Sequence, residues 1–246
     1  MPSSLRLSLA FIAGLTCAQT QAAAPIRFSV ADTWGPPFAE FRDDLIVAGI
    51  VLDLVEAIGQ VTQRQIVPLV LPRKRIDGAV KSGQVDLRCY THPGWVNDPD
   101  AYYWSSGLFE IPDVIFAQRD IAQPKSLQQI PHGSVIGTVL GYKYEKLETS
   151  FVTRSLKRED ASDQEKVMAK VAAGRHSYGI SSLHALEWVL RNSPSLPIAP
   201  WRLKVSDTKF QCGVPINARI PAPELLDAIE RLKQDGTISR ILSRYR

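Results

Sequence analysis

The sequence predicts an α/β protein of two lobes, and three observations carry that reading. Short runs rich in β-branched residues alternate with segments whose apolar residues recur at helical spacing, and this β-α-β order implies parallel strands. The alternation begins again in the second half of the chain, so a second α/β unit is expected. At 246 residues, 45% hydrophobic and 22% charged, the chain suits one or two compact units with a real core and is not disordered.

Taken in order, Ile26–Ala31 and residues 65–71 read as strands, each a short run with β-branched residues. Between them, residues 49–61 carry Ile50, Leu54, Val55 and Ile58 on one helical face. Pro72 and Gly83 bracket a second helix that turns Ile76, Ala79 and Val80 to one side, because proline suits a first helical position and glycine a stop. Residues 85–90 form the next strand. In the second half, residues 134–139 and 178–181 are strands, and 142–149, 164–173 and 183–190 are helices. A proline-rich stretch, 194–200, separates these from a tail of one strand (210–216) and two helices (223–234, and 237–245 after Gly236).

Residues 1–22 have one cation, Arg6, then an apolar run and a small-residue tract, the layout of a cleaved secretory leader, with the cut placed after Ala22. Thr16 stands where a lipobox wants a smaller residue, so Cys17 is not expected to be lipidated. The apolar run is too short to span a bilayer, and no later segment approaches that length. A bacterial periplasm is the expected compartment. The net charge of +4 falls to +3 when Arg6 leaves, and the basic residues are scattered, so neither nucleic acid nor stable membrane insertion is expected. After the cut, Cys89 and Cys212 remain, either as a disulfide, which that compartment allows, or as two buried thiols.

Five residues draw attention on physical grounds. Arg88 sits inside an apolar strand in step with Asp86 and Tyr90, so its charge needs a partner: either an internal salt bridge, with Asp86 the nearest acid, or a ligand in a cleft. Arg73 and Arg75 open a helix, where the dipole favours anions, so an acid or an anionic ligand is expected nearby, unless they are merely solvated. Trp34 stands in the rigid Gly35-Pro36-Pro37 loop and reads as a ligand contact; Trp95 reads as core.

The segments "IRFSVADTWGPPF", "GIVLDLVEAIG", "SGQVDL", "YYWSSGLF", "VIGTVLGYKYEKL" and "PELLDAIERLKQDGTISRILSRY", in this order and spacing, resemble the family 3 extracellular solute-binding proteins, receptors of polar amino-acid ABC transporters. The resemblance implies a bilobal periplasmic-binding-protein fold of type II, two α/β lobes joined by two hinge strands near residues 105–108 and 208–212. It divides the mature chain into lobe 1 (23–106 and 211–246) and lobe 2 (107–210). It also implies a monomer that binds a small molecule, needs no cofactor or metal, and hands the ligand to an ABC permease; a membrane sensor is the alternative partner.

The same resemblance implies where the ligand sits. Trp34 and Phe38 match the family's aromatic wall, Tyr90 and Thr91 end the strand beneath it, and Gly141, Tyr142 and Lys143 match a turn before a helix whose N–H groups face the cleft. The clamp for an amino acid is missing. The family's carboxylate-gripping arginine lands on Asp98, its threonine on Pro93 and its ammonium-binding aspartate on Ser182. An arginine fork on a carboxylate contributes about 1.5–3 kcal/mol, and Asp98 in its place would repel the same ligand, so an unchanged pose is not expected. Asp98 lies among loop formers and is expected to face water.

An enzymatic reading finds little. His92, His132, His176 and His184 form no His-Glu-x-x-His pattern, there is no Cys-x-x-Cys, and Ser206-Asp-Thr-Lys209 lacks the companions of a Ser-x-x-Lys motif. Among relatives of the resembled family, a cleft dehydratase remains possible and calls for an acid of perturbed pKa.

Overall fold

The computed structural model describes residues 23–245, so the expected leader, its cut after Ala22 and Cys17 lie outside the described residues. Strand β1 (Ile26–Ala31) comes first, followed by a hairpin of β2 (Glu40–Arg42) and β3 (Leu45–Ala48) and by α1 (Ile50–Thr62). Gly49 makes the entry to α1 possible: its φ is 121°, and a Cβ there would meet the Phe38 carbonyl oxygen at 2.5 Å. Strand β4 (Ile66–Leu71) returns parallel to β1 and pairs Ile66 with Ile26. A single 3₁₀ turn, Arg73–Arg75, leads into α2 (Ile76–Lys81), then β5 (Arg88–Thr91) and β6 (Tyr102–Trp104).

The chain crosses to the second lobe through β7 (Phe109–Glu110) and continues as β8 (Asp113–Ala117), β9 (Val135–Val139), α3 (Glu145–Val152), β10 (Lys157–Ala161), α4 (Gln164–Ala172), β11 (Tyr178–Ser182), α5 (Leu183–Asn192) and β12 (Leu203–Lys204). It returns through β13 (Lys209–Pro215) and ends in α6 (Ala222–Gln234) and α7 (Thr237–Ser243). The second lobe is one sheet in the order β10-β9-β11-β8-β12, parallel over its first three strands. In the first lobe, β4 and β1 join β5 through the Phe28 to Leu87 bridge, and β13 lies antiparallel to both β5 and β6. The two crossings run side by side: the Leu108 N–H donates to the Phe210 carbonyl at 2.9 Å, and the Ile111 N–H to that of Thr208 at 2.8 Å.

Several elements differ from the sequence reading. The helix expected over 142–149 starts at Glu145, because Tyr144 turns inward and its hydroxyl accepts the Val139 N–H at 3.1 Å. Gly141 and Tyr142 are therefore in a turn and not at a helix end. Residues 85–87 join β1 by backbone hydrogen bonds, so β5 itself starts at Arg88. Strand β10 (Lys-Arg-Glu-Asp-Ala) carries no apolar signal because it is a largely exposed edge.

Two cross-links tie distant chain segments. The buried Cys89 and Cys212 are joined in a disulfide between β5 and β13, closing a sequence separation of 123. Asp86, wholly buried, accepts from Arg27 Nε and Nη2 at 2.9 Å each, from Arg219 Nη2 at 2.9 Å and from the Arg219 N–H at 3.0 Å. Burial pushes its pKa up, but the bonds from Arg27 and Arg219 overcome that and hold the carboxyl well below the usual carboxylate range. Asp86 is thus not the partner of Arg88, whose Nη1 donates to Asp77 Oδ1 and to the Tyr102 hydroxyl, both at 2.8 Å.

Two outcomes follow for stability. Replacing Cys89 and Cys212 by serine is expected to remove about 2–4 kcal/mol of unfolding free energy; an unchanged urea midpoint would contradict it. Because the folded pKa of Asp86 is depressed, its contribution is complete above the unfolded carboxylate pKa and is lost as pH falls through the folded one. Asp86→Asn is expected to lose about 3–5 kcal/mol near pH 7 by leaving two guanidinium groups short of their acid. That deficit should shrink in chemical denaturation between pH 5 and pH 2, whereas a constant deficit would mean that the charge is not what matters.

Candidate functional site

A cavity opens between the lobes, beyond the carboxyl ends of β4, β5 and β11. The first lobe contributes Trp34, Arg73, Ile76, Arg88, Tyr90 and Trp95. Asp113, Tyr142, Lys143, Tyr144, Gln164 and Ser182 close it from the second. The lobes touch: Lys143 Nζ donates to the Val96 carbonyl at 2.9 Å across the cleft, and Gly141 packs against Arg73, whose Cγ would lie 3.2 Å from an added Cβ.

Seven of the expected contacts therefore meet in one space: Trp34, Arg73, Arg88, Tyr90, Tyr142, Lys143 and Ser182. Four do not line it. Phe38 is 1% exposed and lies behind Tyr90, stacked at 4.1 Å between ring centroids, so it supports the wall instead of forming it. Arg75 is exposed, because a 3₁₀ turn sends residues 73 and 75 to different sides. Thr91 is buried in β5 with its hydroxyl unpartnered, and Gly141 is the floor under Arg73. Trp95, read from the sequence as core, lines the cavity. Asp98 is exposed, as its loop-forming neighbours suggest.

Tyr90 holds the wall together. Its φ of 53° is left-handed, a conformation that costs a side-chain-bearing residue about 1–2 kcal/mol, and its neighbour Cys89 is tied to β13. That geometry stacks its ring between Phe38 and Phe210, with centroid distances of 4.1 and 5.5 Å, while Trp34 tilts against it at 5.1 Å. The φ is unreadable in a single sequence. Ser182 caps α5 by accepting the Ala185 N–H at 3.3 Å, a structural duty beside its place in the cavity.

Charge is distributed unevenly. Arg88 is neutralised by Asp77. Arg73, partly buried, donates to the Trp95 carbonyl at 3.2 Å and, among the described residues, has no carboxylate within salt-bridge distance. Burial first, and then the charge of nearby Arg88, lower its pKa, and Asp77, the acid beside them, is engaged by Arg88. Opposite lies Asp113, an acid the sequence reading passed over. It stands directly across from Ser182 in the β8 to β11 register, so the position expected to have lost an acid gains one from the adjacent strand. Burial raises its carboxyl to about 6, the bond from Ser206 Oγ opposes the rise, and nearby Glu145 adds to it. The sequence signal was a lone acid after Pro112, heading the apolar run Val114-Ile115-Phe116.

No protein-family model matches the sequence, and no curated protein matches it. Among solved structures, an ancestral arginine-binding protein bound to arginine is similar over 90% of this chain and 97% of its own, with a TM-score of 0.75 and 18% identity. A histidine kinase sensor domain with similarity to periplasmic binding proteins covers 90% of this chain and 95% of its own, with a TM-score of 0.74 and 16% identity. The ancestral amino acid-binding protein AncCDT-1, a precursor of cyclohexadienyl dehydratase, covers 90% and 94%, at 0.73 and 14%. At such identities the likeness is one of architecture, and on it, together with the paired crossings and the two sheets, the chain has the bilobal α/β fold of the periplasmic binding proteins.

Proposed function

We propose that this chain is an exported solute receptor whose lobes, residues 23–106 with 211–246 and residues 107–210, close on a small organic anion. The observation that carries the reading is Arg73, a guanidinium in the cavity wall that donates to a carbonyl and, among the described residues, meets no carboxylate within salt-bridge distance. A confined cation without an acid favours an anionic ligand, and Trp34, Tyr90, Trp95, Tyr142 and Tyr144 offer ring faces and edges to its apolar part. Closure, a shift in population between open and closed forms, changes the outer surface that a membrane partner would read. The partner in this reading is an ABC permease on the outer face of the inner membrane, and the receptor works as a periplasmic monomer without catalysis. A sensor receptor is the alternative, in keeping with the histidine kinase sensor domain among the similar structures.

One observation favours a second reading. A cleft acid with a raised pKa is the feature a dehydratase on this fold would need, and Asp113 has it. Chemical consumption of a bound compound, followed by chromatography, would promote that reading over the receptor.

Isothermal titration against a panel of carboxylates is the direct test. Arg73→Ala is expected to weaken the best binder about 10- to 100-fold, the size of one charge-assisted bond, while Arg75→Ala, on an exposed side chain, leaves it unchanged. Equal affinity in the Arg73 variant would sink the anion reading.

A further inference from the structure

Beside the paired crossings lies a separate pocket, lined by Ile50, Leu242 and Tyr245 of the first lobe, Phe109 and Glu110 of β7, and His184 of α5 in the second lobe. Both lobes and the crossing strand thus each contribute a wall. Arg191 Nη2 of α5 donates to the Tyr245 carbonyl at 3.1 Å, so the two lobes also touch here. Most of the lining is apolar. Tyr245 offers its ring, because its hydroxyl donates to Asp53 Oδ2 at 2.8 Å and accepts the Gly49 N–H at 3.2 Å. Glu110 is an exposed acid at the rim, and among the described residues it meets no cation within salt-bridge distance: Lys209, opposite it in the β7 to β13 register, packs over Gly107, and Lys204 pairs with Asp207.

A continuous run of rings links this pocket to the cavity between the lobes. His184 lies edge-on to Phe38 at 6.0 Å between centroids and to Phe109 at 6.3 Å. Phe109 stacks on Phe210 at 4.5 Å, and Phe38 and Phe210 enclose Tyr90, which lines the cavity. We propose that the pocket is an effector site for a small aromatic amine, whose binding favours the arrangement in which the lobes touch. An aryl ring suits walls of Ile50, Phe109, Leu242 and Tyr245, and its ammonium meets Glu110. Apolar burial supplies the affinity, whereas the exposed ion pair contributes little and sets the preference for a cation. The walls stand together in the same arrangement that brings Lys143 to Val96, so an occupant touching both lobes binds that arrangement better than one in which the walls part. By linkage, a ligand that closes the lobes raises affinity for the amine by the same factor, and the ring contacts are the path that joins the two sites. Coupling to a carboxylate rests on the organic-anion reading; the pocket itself does not.

The test uses the mature full-length protein with benzylamine as the probe and benzyl alcohol as its uncharged match, followed by isothermal titration. Benzylamine is expected to bind about threefold more tightly than the alcohol, an advantage that Glu110→Gln removes. Leu242→Trp, which fills the pocket, should abolish binding of both. Circular dichroism controls for folding, and the exposed Glu110 variant keeps the test decisive if Leu242→Trp does not fold. Saturating benzylamine should tighten binding of the best carboxylate by about fivefold or more, and should lower the radius of gyration in small-angle scattering with no carboxylate present. Absence of benzylamine binding, binding undiminished in both variants, or binding lost in Trp34→Ala at the main cavity would overturn the site. An unchanged radius of gyration would overturn the effector role. Failure of every carboxylate to bind would remove the anion reading alone, since benzylamine binding and scattering are read without one.

Discussion

The structure turns on one strand that serves both lobes. β13 pairs with β7 where the chain crosses between them, then with β5 and β6 inside the first lobe, so the connection and the wall of the cavity are parts of one hydrogen-bonded element. The disulfide from Cys212 to Cys89 fastens that element to β5 beside Tyr90, whose left-handed backbone brings its ring between Phe210 of β13 and Phe38 of the loop. The connection between the lobes and the aromatic wall are thereby joined by covalent and stacking contacts.

Electrostatics divides the molecule into satisfied and unsatisfied charge. Asp86 is surrounded by donors from Arg27 near one end of the described chain and Arg219 near the other, which makes the first lobe one body although its parts are far apart in sequence. Arg88 is likewise complete, with Asp77 and Tyr102. Among the described residues that line the cavity, Arg73, Lys143 and Asp113 meet no opposite charge within salt-bridge distance. Since a partly dehydrated charge is unfavourable until it is paired, such groups mark where interaction energy can be supplied from outside.

Much of the architecture could be read from the chain. β1 coincides with the short β-branched run Ile26–Ala31, buried on both faces, and α1 with the helical spacing of Ile50, Leu54, Val55 and Ile58, because burial on one side of a helix imposes a period that survives in any one sequence. β10 escaped notice since an exposed edge has no such period, and α3 was placed three residues early because nothing local announces that the Tyr144 hydroxyl will cap Val139. The site was only partly legible. Trp34 and Arg73 were singled out from loop rigidity and helix position and Tyr90 from the family resemblance, and all three line the cavity, whereas packing and turn geometry keep Phe38 and Arg75 out of it.

By itself, then, the sequence determined the alternation of strands and helices and the two α/β units, both properties of local pattern. Tertiary structure alone decided that Cys89 meets Cys212, that Asp86 belongs to Arg27 and Arg219 while Arg88 belongs to Asp77, and that Asp113 stands across from Ser182. The reason is physical. The pairs just named join segments as much as 133 residues apart, and their distances are set by strand register and lobe packing, which no local period encodes.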